Sequence, residues 1–294
     1  MKYIDAEKVK NKMGTRLILN NILKSVFLLA TLFGLIVLAV LIIRVLTEGI
    51  SYIDLNFLTG KLSTNPDRAG IMGAILGTLW LMAVVVPVTM FLGIGTAIYN
   101  ELYASKGRFQ QIIQTNIANL AGVPSIVYGI LGMTIFVRAL DFGNIVLAGG
   151  LTMSLLILPI VIVSSQEAIR AVPQHFSEAS YGLGATKWQT VKNIILPAAL
   201  PGILTGTILA LSRAIGETAP LVVLGIPALL LPFPGGIFDK FTVLPMQIYY
   251  WTIDSSLVDE YAYLASATII VLLVMLFLLN SVAIIIRNKF QQRY

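Results

Sequence analysis

The sequence predicts an all-α integral membrane protein with six transmembrane helices and both termini in the cytoplasm. Of its 294 residues, 57% are hydrophobic and 12% are charged, and the mean hydropathy is +0.88. Soluble domains have about 45–50% apolar and about 25% charged residues. The apolar residues form continuous runs, each long enough to cross about 30 Å of hydrocarbon as a helix. The basic residues, in turn, are divided unevenly between the loops that join these runs.

The apolar runs do not alternate with polar residues, which favours helices over membrane strands. The six predicted spans cover residues 25–43, 70–99, 117–137, 145–163, 197–221 and 262–286. Segment 222–237 is rich in proline and glycine, so we expect irregular structure at the outer face there and no seventh helix. A transmembrane domain over 25–286 then lies between an N-terminal segment, 1–24, and a tail, 287–294, and its longest loop is 164–196.

The distribution of basic residues orients the chain. Six spans place four segments on one side of the membrane: 1–24, 101–112, 164–193 and 287–294. These segments hold 14 of the 20 Lys and Arg residues. The positive-inside rule puts that side, and therefore both termini, in the cytoplasm. Orientation in a lipid membrane accounts for the net charge of +6, so we expect no nucleic-acid partner.

Several classes of chemistry are excluded by what the sequence lacks. It has no cysteine and one histidine, which rules out disulfides, thiol nucleophiles and multi-histidine metal sites. It has no Gly-x-x-x-x-Gly-Lys-Ser/Thr loop for nucleotide phosphates. We therefore expect no catalytic residue, no metal, no cofactor and no ATP binding by this chain.

The cytoplasmic stretch Ser165–Gly202 predicts two short helices at a sharp bend beneath the membrane. We expect Ser177 to cap a first helix that starts at Glu178. Thr186 and Gln189 have the capping-box spacing for a second. From the residues alone, the stretch is either an ordinary structured loop or a docking surface.

The same stretch resembles the cytoplasmic EAA loop of ABC importer permeases. That pattern is Glu-Ala-Ala, three residues, Gly, nine residues, Ile, one residue and Leu-Pro. Every spacing is kept, and the single departure is a serine in place of the second alanine. The matching positions are Glu178, Ala179, Ser180, Gly184, Ile194, Leu196 and Pro197. The resemblance implies a type I ABC importer permease fold, in which Glu178, Ala179, Ser180 and Gly184 couple the permease to an ATPase subunit.

Further stretches resemble the PstA-type permeases of phosphate-specific transport. They are Asn116–Gly132, Arg213–Pro220 and Leu244–Thr252, and the resemblance extends over about 70–286. It implies half of the pathway of an ATP-driven phosphate importer in the bacterial inner membrane, working by alternating access. The implied partners are a PstC-like second permease subunit, a PstB-like ATPase dimer and a PstS-like extracytoplasmic phosphate-binding protein.

Arg213 and Glu217 are charged residues inside the predicted fifth span, where a charge costs about 2.5–3.5 kcal/mol on insertion scales. Spaced by four, they share one helix face. They either form a buried pair that fixes packing or line the substrate pathway, where a planar guanidinium suits an oxyanion. Arg170 either attracts anions at the pathway exit or simply follows the positive-inside rule.

The remaining candidates concern helix bending and packing. Pro124, Ser125 and Tyr128 in the third span and Pro197 before the fifth are candidates for gating or packing, and the Gly202-x-x-x-Gly206 spacing allows close helix approach. Two other functions stay open. One is a permease for another oxyanion, such as molybdate or sulfate, and the other is a stand-alone secondary transporter or channel that uses Glu217 as a proton or cation site. No internal repeat supports the second.

Overall fold

The computed structural model describes residues 6–105, 107–227 and 233–289. These residues form helices and no extended strand, which confirms the predicted all-α class. The helices are α1 (Ala6–Gly49), α2 (Leu55–Thr59), α3 (Met72–Ile98), α4 (Arg108–Leu120), α5 (Ser125–Gly132), α6 (Val146–Arg170), α7 (Gln174–Gly182), α8 (Lys187–Thr190), α9 (Leu196–Gly216), α10 (Ala219–Val223), α11 (Leu244–Asp254) and α12 (Glu260–Lys289). Parts of the predicted N-terminal segment (1–5), irregular segment (228–232) and tail (290–294) lie outside the described residues.

Within the described residues, five continuous helical stretches are long and apolar enough to cross a membrane. They are Arg16–Tyr52, Met72–Tyr103, Val146–Arg170, Lys187–Gly216 and Glu260–Lys289. The helix pair α4 and α5, extended to Ala139, makes a sixth crossing if the bent pair is taken as one span. These helices agree with the predicted number of spans.

The third predicted span, 117–137, is not one straight helix. Helix α4 ends at Leu120 and α5 begins at Ser125, with a bend of 102° between them. Pro124 precedes α5 in an extended conformation and has no N–H with which to continue α4. Tyr128 Oη donates a hydrogen bond across the bend to the Leu120 carbonyl at 2.8 Å, which pairs one of the carbonyls left free at the helix end. The polar helix α4 therefore does not continue the direction of α5.

The fifth predicted span, 197–221, also ends earlier than expected. Helix α9 stops at Gly216, and Glu217 is extended with ψ 126°. Helix α10 then starts again at Ala219, with Pro220 in its first turn. A proline cannot donate the hydrogen bond that a continuous helix requires at its interior positions. The break therefore separates Arg213, in the last turn of α9, from the segment that follows.

Helices α3, α6 and α9 pack together at the centre of the bundle, and small residues allow their backbones to approach closely. A Cβ atom at Gly150 of α6 would lie 2.6 Å from Val84 of α3. A Cβ atom at Gly202 of α9 would lie 2.8 Å from Ala168 of α6, and one at Gly206 would overlap Ser164. The close approach expected from the Gly202-x-x-x-Gly206 spacing is confirmed.

The apolar length of α1 is not covered by the rest of this chain. Helix α1 meets α12 near its C-terminal end, where a Cβ at Gly49 would lie 2.6 Å from the Ala267 nitrogen. Long side chains such as Phe27 and Phe33 are exposed along its length. Hydrocarbon surface of this extent requires a membrane or another protein to cover it.

Candidate coupling segment and candidate pathway charges

Residues 174–190, which contain α7, a turn and α8, form the feature that we call the coupling segment. Helix α7 ends in a Schellman motif, in which Gly184 N donates to Tyr181 O at 2.9 Å and Ala185 N donates to Ser180 O at 3.2 Å. Gly184 has φ +85°, in the left-handed region that favours glycine. The sharp turn predicted at Gly184 therefore has an identified backbone geometry.

A capping box begins α8, as the sequence predicts. Thr186 Oγ1 accepts from Gln189 N at 3.4 Å, and Gln189 Oε1 accepts from Thr186 N at 2.8 Å. The prediction that Ser177 caps a helix at Glu178 is wrong. Helix α7 begins at Gln174, and Ser177 Oγ lies inside it and donates to Gln174 O at 2.7 Å. Pro173 occupies the N-cap position in an extended conformation (φ −60°, ψ 136°), so the helix starts at the next residue, Gln174.

The EAA positions lie on different faces of the coupling segment. Glu178 and Ala179 are exposed. Ser180 is buried, and its Oγ lies 2.9 Å from Thr190 Oγ1, which joins α7 to α8. The hydroxyl of this serine thus has a partner that alanine would lack. Between the helices Leu183 is 91% exposed, so the segment presents a carboxylate and an apolar side chain on a fixed backbone.

Arg170, a candidate pathway residue, lies at the C-terminal end of α6 in a network of side chains. Its guanidinium forms a bidentate pair with Glu101, with Nε 2.9 Å from Oε2. It also donates to Glu167 at 3.0 Å and to Gln114 at 3.1 Å. Gln114 Nε2 in turn donates to Glu101 Oε1 at 3.2 Å. Two carboxylates therefore compensate the charge of Arg170.

Sequence reasoning missed Glu101. It lies in Tyr99–Tyr103, a π-helical turn that continues α3, and its side chain is 13% exposed. The sequence does single out Glu101, because it is the first charged residue after an uncharged run that begins at Ala69. A carboxylate at the end of a span needs a cationic partner when it is buried.

Arg213 and Glu217 form the pair that their spacing predicts, with Arg213 Nε 3.2 Å from Glu217 Oε1. The pair is not enclosed by this chain, because the Arg213 side chain is 49% exposed and that of Glu217 is 19% exposed. Arg213 lies about 25 Å along α9 from Leu196, at a rise of 1.5 Å per residue. It is therefore at the end of α9 that is remote from the coupling segment.

The bending candidates lie at junctions between helices. Pro124, Ser125 and Tyr128 form the α4–α5 bend. Pro197 is the second residue of α9, which directly follows Val191–Ile195, a π-helical turn, while Lys187–Gly216 stays helical throughout. The wider π-helical hydrogen-bonding pattern is one way in which a helix adjusts next to a proline.

The third-span and fifth-span motifs meet in the structure. A Cβ at Gly129 of α5 would lie 2.8 Å from Pro220 Cα of α10, so no larger residue fits there without displacing backbone. The break after α9 thus places α10 against α5. The two stretches that resemble phosphate-transport permeases form one packed unit next to the Arg213–Glu217 pair.

Helix α11 contains the third such stretch and lies at the end of the bundle opposite the coupling segment. Trp251 is buried and its ring centre lies 6.3 Å from that of Phe57. Tyr250 Oη donates to the Ile226 carbonyl at 3.3 Å, and burial raises the pKa of this phenol, with a smaller contribution from Tyr249. Tyr250 therefore stays neutral at ordinary pH. Among the described residues no group of three or more His, Cys, Asp or Glu side chains is arranged to hold a metal ion.

Comparison with known proteins identifies the class. Residues 89–294 match the family model described as binding-protein-dependent transport system inner membrane component. The chain belongs to this family of inner-membrane permeases of ABC importers. It is therefore a multi-pass bacterial inner-membrane protein and a transport subunit.

Within the family, the chain is of the PstA type. It is 34% identical over 223 residues to the phosphate transport system permease protein PstA of Yersinia pestis, covering 74% of this chain and 73% of that one. It is 39% identical over 155 residues to PstA 1 of Mycobacterium tuberculosis strain H37Rv, covering 53% and 50%. It is 33% identical to the probable ABC transporter permease protein YqgI of Bacillus subtilis, covering 60% of each. The aligned region thus spans about half to three-fifths of the latter two relatives.

Solved structures share the fold. The chain superimposes on a protein of the bacterial alginate ABC transporter with a TM-score of 0.61 and 15% identity, covering 94% of this chain and 95% of that one. The inward-facing methionine transporter MetNI gives a TM-score of 0.59 at 16% identity, covering 76% and 96%. These likenesses confirm the type I ABC importer permease fold expected from the sequence.

Proposed function

We propose that this chain is one permease half of an ATP-driven importer of inorganic phosphate. In this mechanism a PstS-like binding protein delivers phosphate to the outer face, and a PstB-like ATPase dimer closes when it binds ATP. The coupling segment passes that closure to the spans, which open alternately outward and inward. A PstC-like second permease subunit supplies the other wall of the pathway.

The exposed coupling segment carries this proposal. Its backbone is held at both helix ends, by the Schellman motif at Gly184 and the capping box at Thr186, and by the Ser180–Thr190 contact between α7 and α8. Leu183, which is 91% exposed between α7 and α8, offers an apolar contact to a docking partner. A rigid surface loses little conformational entropy on docking, which suits a part that must transmit force.

The phosphate assignment rests on the relatives and on the exposed pair at the end of α9. The relatives from Yersinia and Mycobacterium are named as phosphate transport permeases. Arg213 is half exposed and can present a guanidinium fork to an oxyanion. Glu217 competes for the same guanidinium, which keeps phosphate binding weak enough for release. The compensated charge of Arg170 argues for a structural part at the cytoplasmic side and against an exit site for anions.

The decisive experiment is purification of the tagged chain from a mild detergent extract, followed by reconstitution of the complex into proteoliposomes. The expected result is co-purification of an ATPase and a second permease, with ATP-dependent uptake of radiolabelled phosphate when the binding protein is present. Molybdate and sulfate serve as alternative cargoes in the same vesicles. Uptake of either in preference to phosphate would replace the cargo assignment, and uptake without an ATPase would overturn the class.

A further inference from the structure

The π-helical turn Tyr99–Tyr103 receives two contacts from the region around the coupling segment. Arg170, the last residue of α6, forms the bidentate pair with Glu101. Lys187, the first residue of α8, places its ammonium group 4.8 Å from the centre of the Tyr103 ring. These contacts join residues that are 69 and 84 positions apart in the sequence, and neither is imposed by chain connectivity.

We propose that the Tyr99–Tyr103 turn is the joint through which the coupling segment moves α3 and α4, with Glu101 and Tyr103 as its positioning residues. This inference rests on the proposed function and names the residues that transmit it. The covalent links of the coupling segment lead to α6 and α9 only. Helix α3 can follow its movement through packing and through these two polar contacts.

The chemistry of the Glu101 pair suits a mechanical link. Both guanidinium nitrogens that face Glu101 donate to its carboxylate, which fixes direction as well as distance. The carboxylate is largely buried, so separation of the pair would leave its charge uncompensated. Gln114 bridges the pair to α4, and Gln110 Nε2 donates to the Asn100 carbonyl at 2.7 Å. Helix α4 is thereby tied to the same turn.

A second observation concerns buried polar groups in this region. Among the described residues, four buried side-chain atoms lack a hydrogen-bond partner, and three of them lie on the elements joined by this pair. They are Asn100 Nδ2 in the turn, and Ser165 Oγ and Gln166 Nε2 near the end of α6. Unpaired buried polar groups are costly in a permanently closed structure. A second state in which they find partners would offset that cost.

A π-helical turn also suits a joint mechanically. The Ala104 N–H donates to the Tyr99 carbonyl at 2.8 Å, five residues back, where an α-helix would bond four residues back. This wider turn stores a local register change at the end of a regular helix, and such turns are frequent at functional sites. Helix α3 can therefore shift relative to α4 by changing the hydrogen bonding of this turn alone.

The test is the number of phosphate ions imported per ATP hydrolysed by the reconstituted full complex. We expect Glu101→Gln to lower this ratio about tenfold, within the usual range of coupling between sites. The double variant Glu101→Arg with Arg170→Glu should recover much of it. Glu167→Gln is the matched control, because it removes another carboxylate partner of Arg170 that lies on α6 itself and is exposed. We expect no change in its ratio.

Variants of Tyr103 test the second contact independently of the ion pair. Tyr103→Leu removes the ring that faces Lys187 and should lower the ratio about two- to fivefold, the worth of an exposed cation–π contact. Tyr103→Phe keeps the ring and should couple normally. If Glu101→Gln prevents assembly, the Tyr103 variants decide the question alone.

The two hypotheses fail in different ways. A wild-type complex that imports no phosphate with ATP overturns the proposed function. A wild-type complex that couples normally, with unchanged ratios in Glu101→Gln and Tyr103→Leu, overturns the joint. If Glu101 has a purely structural role, Glu101→Gln should yield fewer assembled complexes, but each complex should import as many phosphate ions per ATP as the wild type. That result would also overturn the proposed joint.

Discussion

Replacement of Gly184 by alanine isolates the contribution of backbone geometry to coupling. At this position φ is +85°, and a Cβ atom would meet no other atom within 4 Å. Steric clash therefore adds nothing, and the whole cost is that of holding an L-residue in the left-handed conformation, about 1–2 kcal/mol. If the docked coupling segment requires this turn, the affinity for the ATPase falls by a factor of about 5–30.

The neighbouring Gly182 provides a matched control. It belongs to the same segment and also has open space where a Cβ would lie, but it is the last residue of helix α7 and lacks a positive φ. Alanine there should be neutral or slightly stabilising, because it raises helix propensity. Asparagine at Gly184 should fall between glycine and alanine, since it tolerates the left-handed conformation better than other residues do.

The assay is titration of the purified ATPase subunit into the permease pair in nanodiscs, with the dissociation constant as readout. The expected order of affinity is wild type and Gly182→Ala, then Gly184→Asn, then Gly184→Ala. Equal affinity of Gly184→Ala and wild type would show that the Schellman turn is not needed for docking. A loss in Gly182→Ala as large as in Gly184→Ala would show that side-chain bulk, and not φ, is responsible.

Three other substitutions test separate parts of the chain. Glu178→Lys, at an exposed position, should leave membrane insertion intact and lower ATP-dependent phosphate uptake at least several-fold in vesicles; full uptake would contradict its assignment to coupling. Arg213→Gln should abolish phosphate uptake by a complex that still assembles. The control is Arg44→Gln, which breaks an exposed pair of the same i,i+4 geometry and should leave uptake unchanged. Loss of assembly in Arg213→Gln would favour a packing role for Arg213. Gly132→Ala should destabilise the permease by about 1–3 kcal/mol, because its methyl group overlaps Thr152, while Gly95→Ala, with open space, should leave thermal unfolding unchanged.

The span pattern was predictable because it depends on quantities that add along the sequence. Hydropathy over about 20 residues and the bias of basic residues identify the helices that later prove long enough to cross. The capping box of α8 was equally predictable, because its two residues, Thr186 and Gln189, are three positions apart in the sequence. The capping prediction failed at Ser177, because the helix already starts at Gln174, directly after a proline.

Interruptions of the spans were harder to predict. Pro124 marked a possible bend, but nothing in the local sequence gives its angle of 102° or the hydrogen bond from Tyr128 to the Leu120 carbonyl across it. The end of α9 at Gly216 depends on α10 packing against Gly129, a contact between distant parts of the sequence. Hydropathy alone does not predict these contacts or the breaks next to them, because the residues on either side of each break are apolar.

The candidate charges show the same limit at the level of single residues. The Arg213–Glu217 pair was predictable, because both members lie four apart on one helix. The main partner of Arg170 was not, because Glu101 reaches it from a different span. From the sequence alone, Arg170 is interpreted as an unpaired cation near the membrane surface. In the structure, the Glu101 carboxylate compensates its charge and the pair joins two helices.

Helix α9 connects the two candidate sites and sets how a movement at one would reach the other. It is helical from Leu196 to Gly216, so Arg213 lies about 25 Å from its cytoplasmic start. A tilt of roughly 10° about that start would displace Arg213 by about 4 Å over such a length. Gly202 and Gly206 pack α9 closely against α6 in the half of the helix that begins at Leu196. If the coupling segment tilts α9 in this way, the partly exposed far end would move most, and the Arg213 guanidinium would be repositioned.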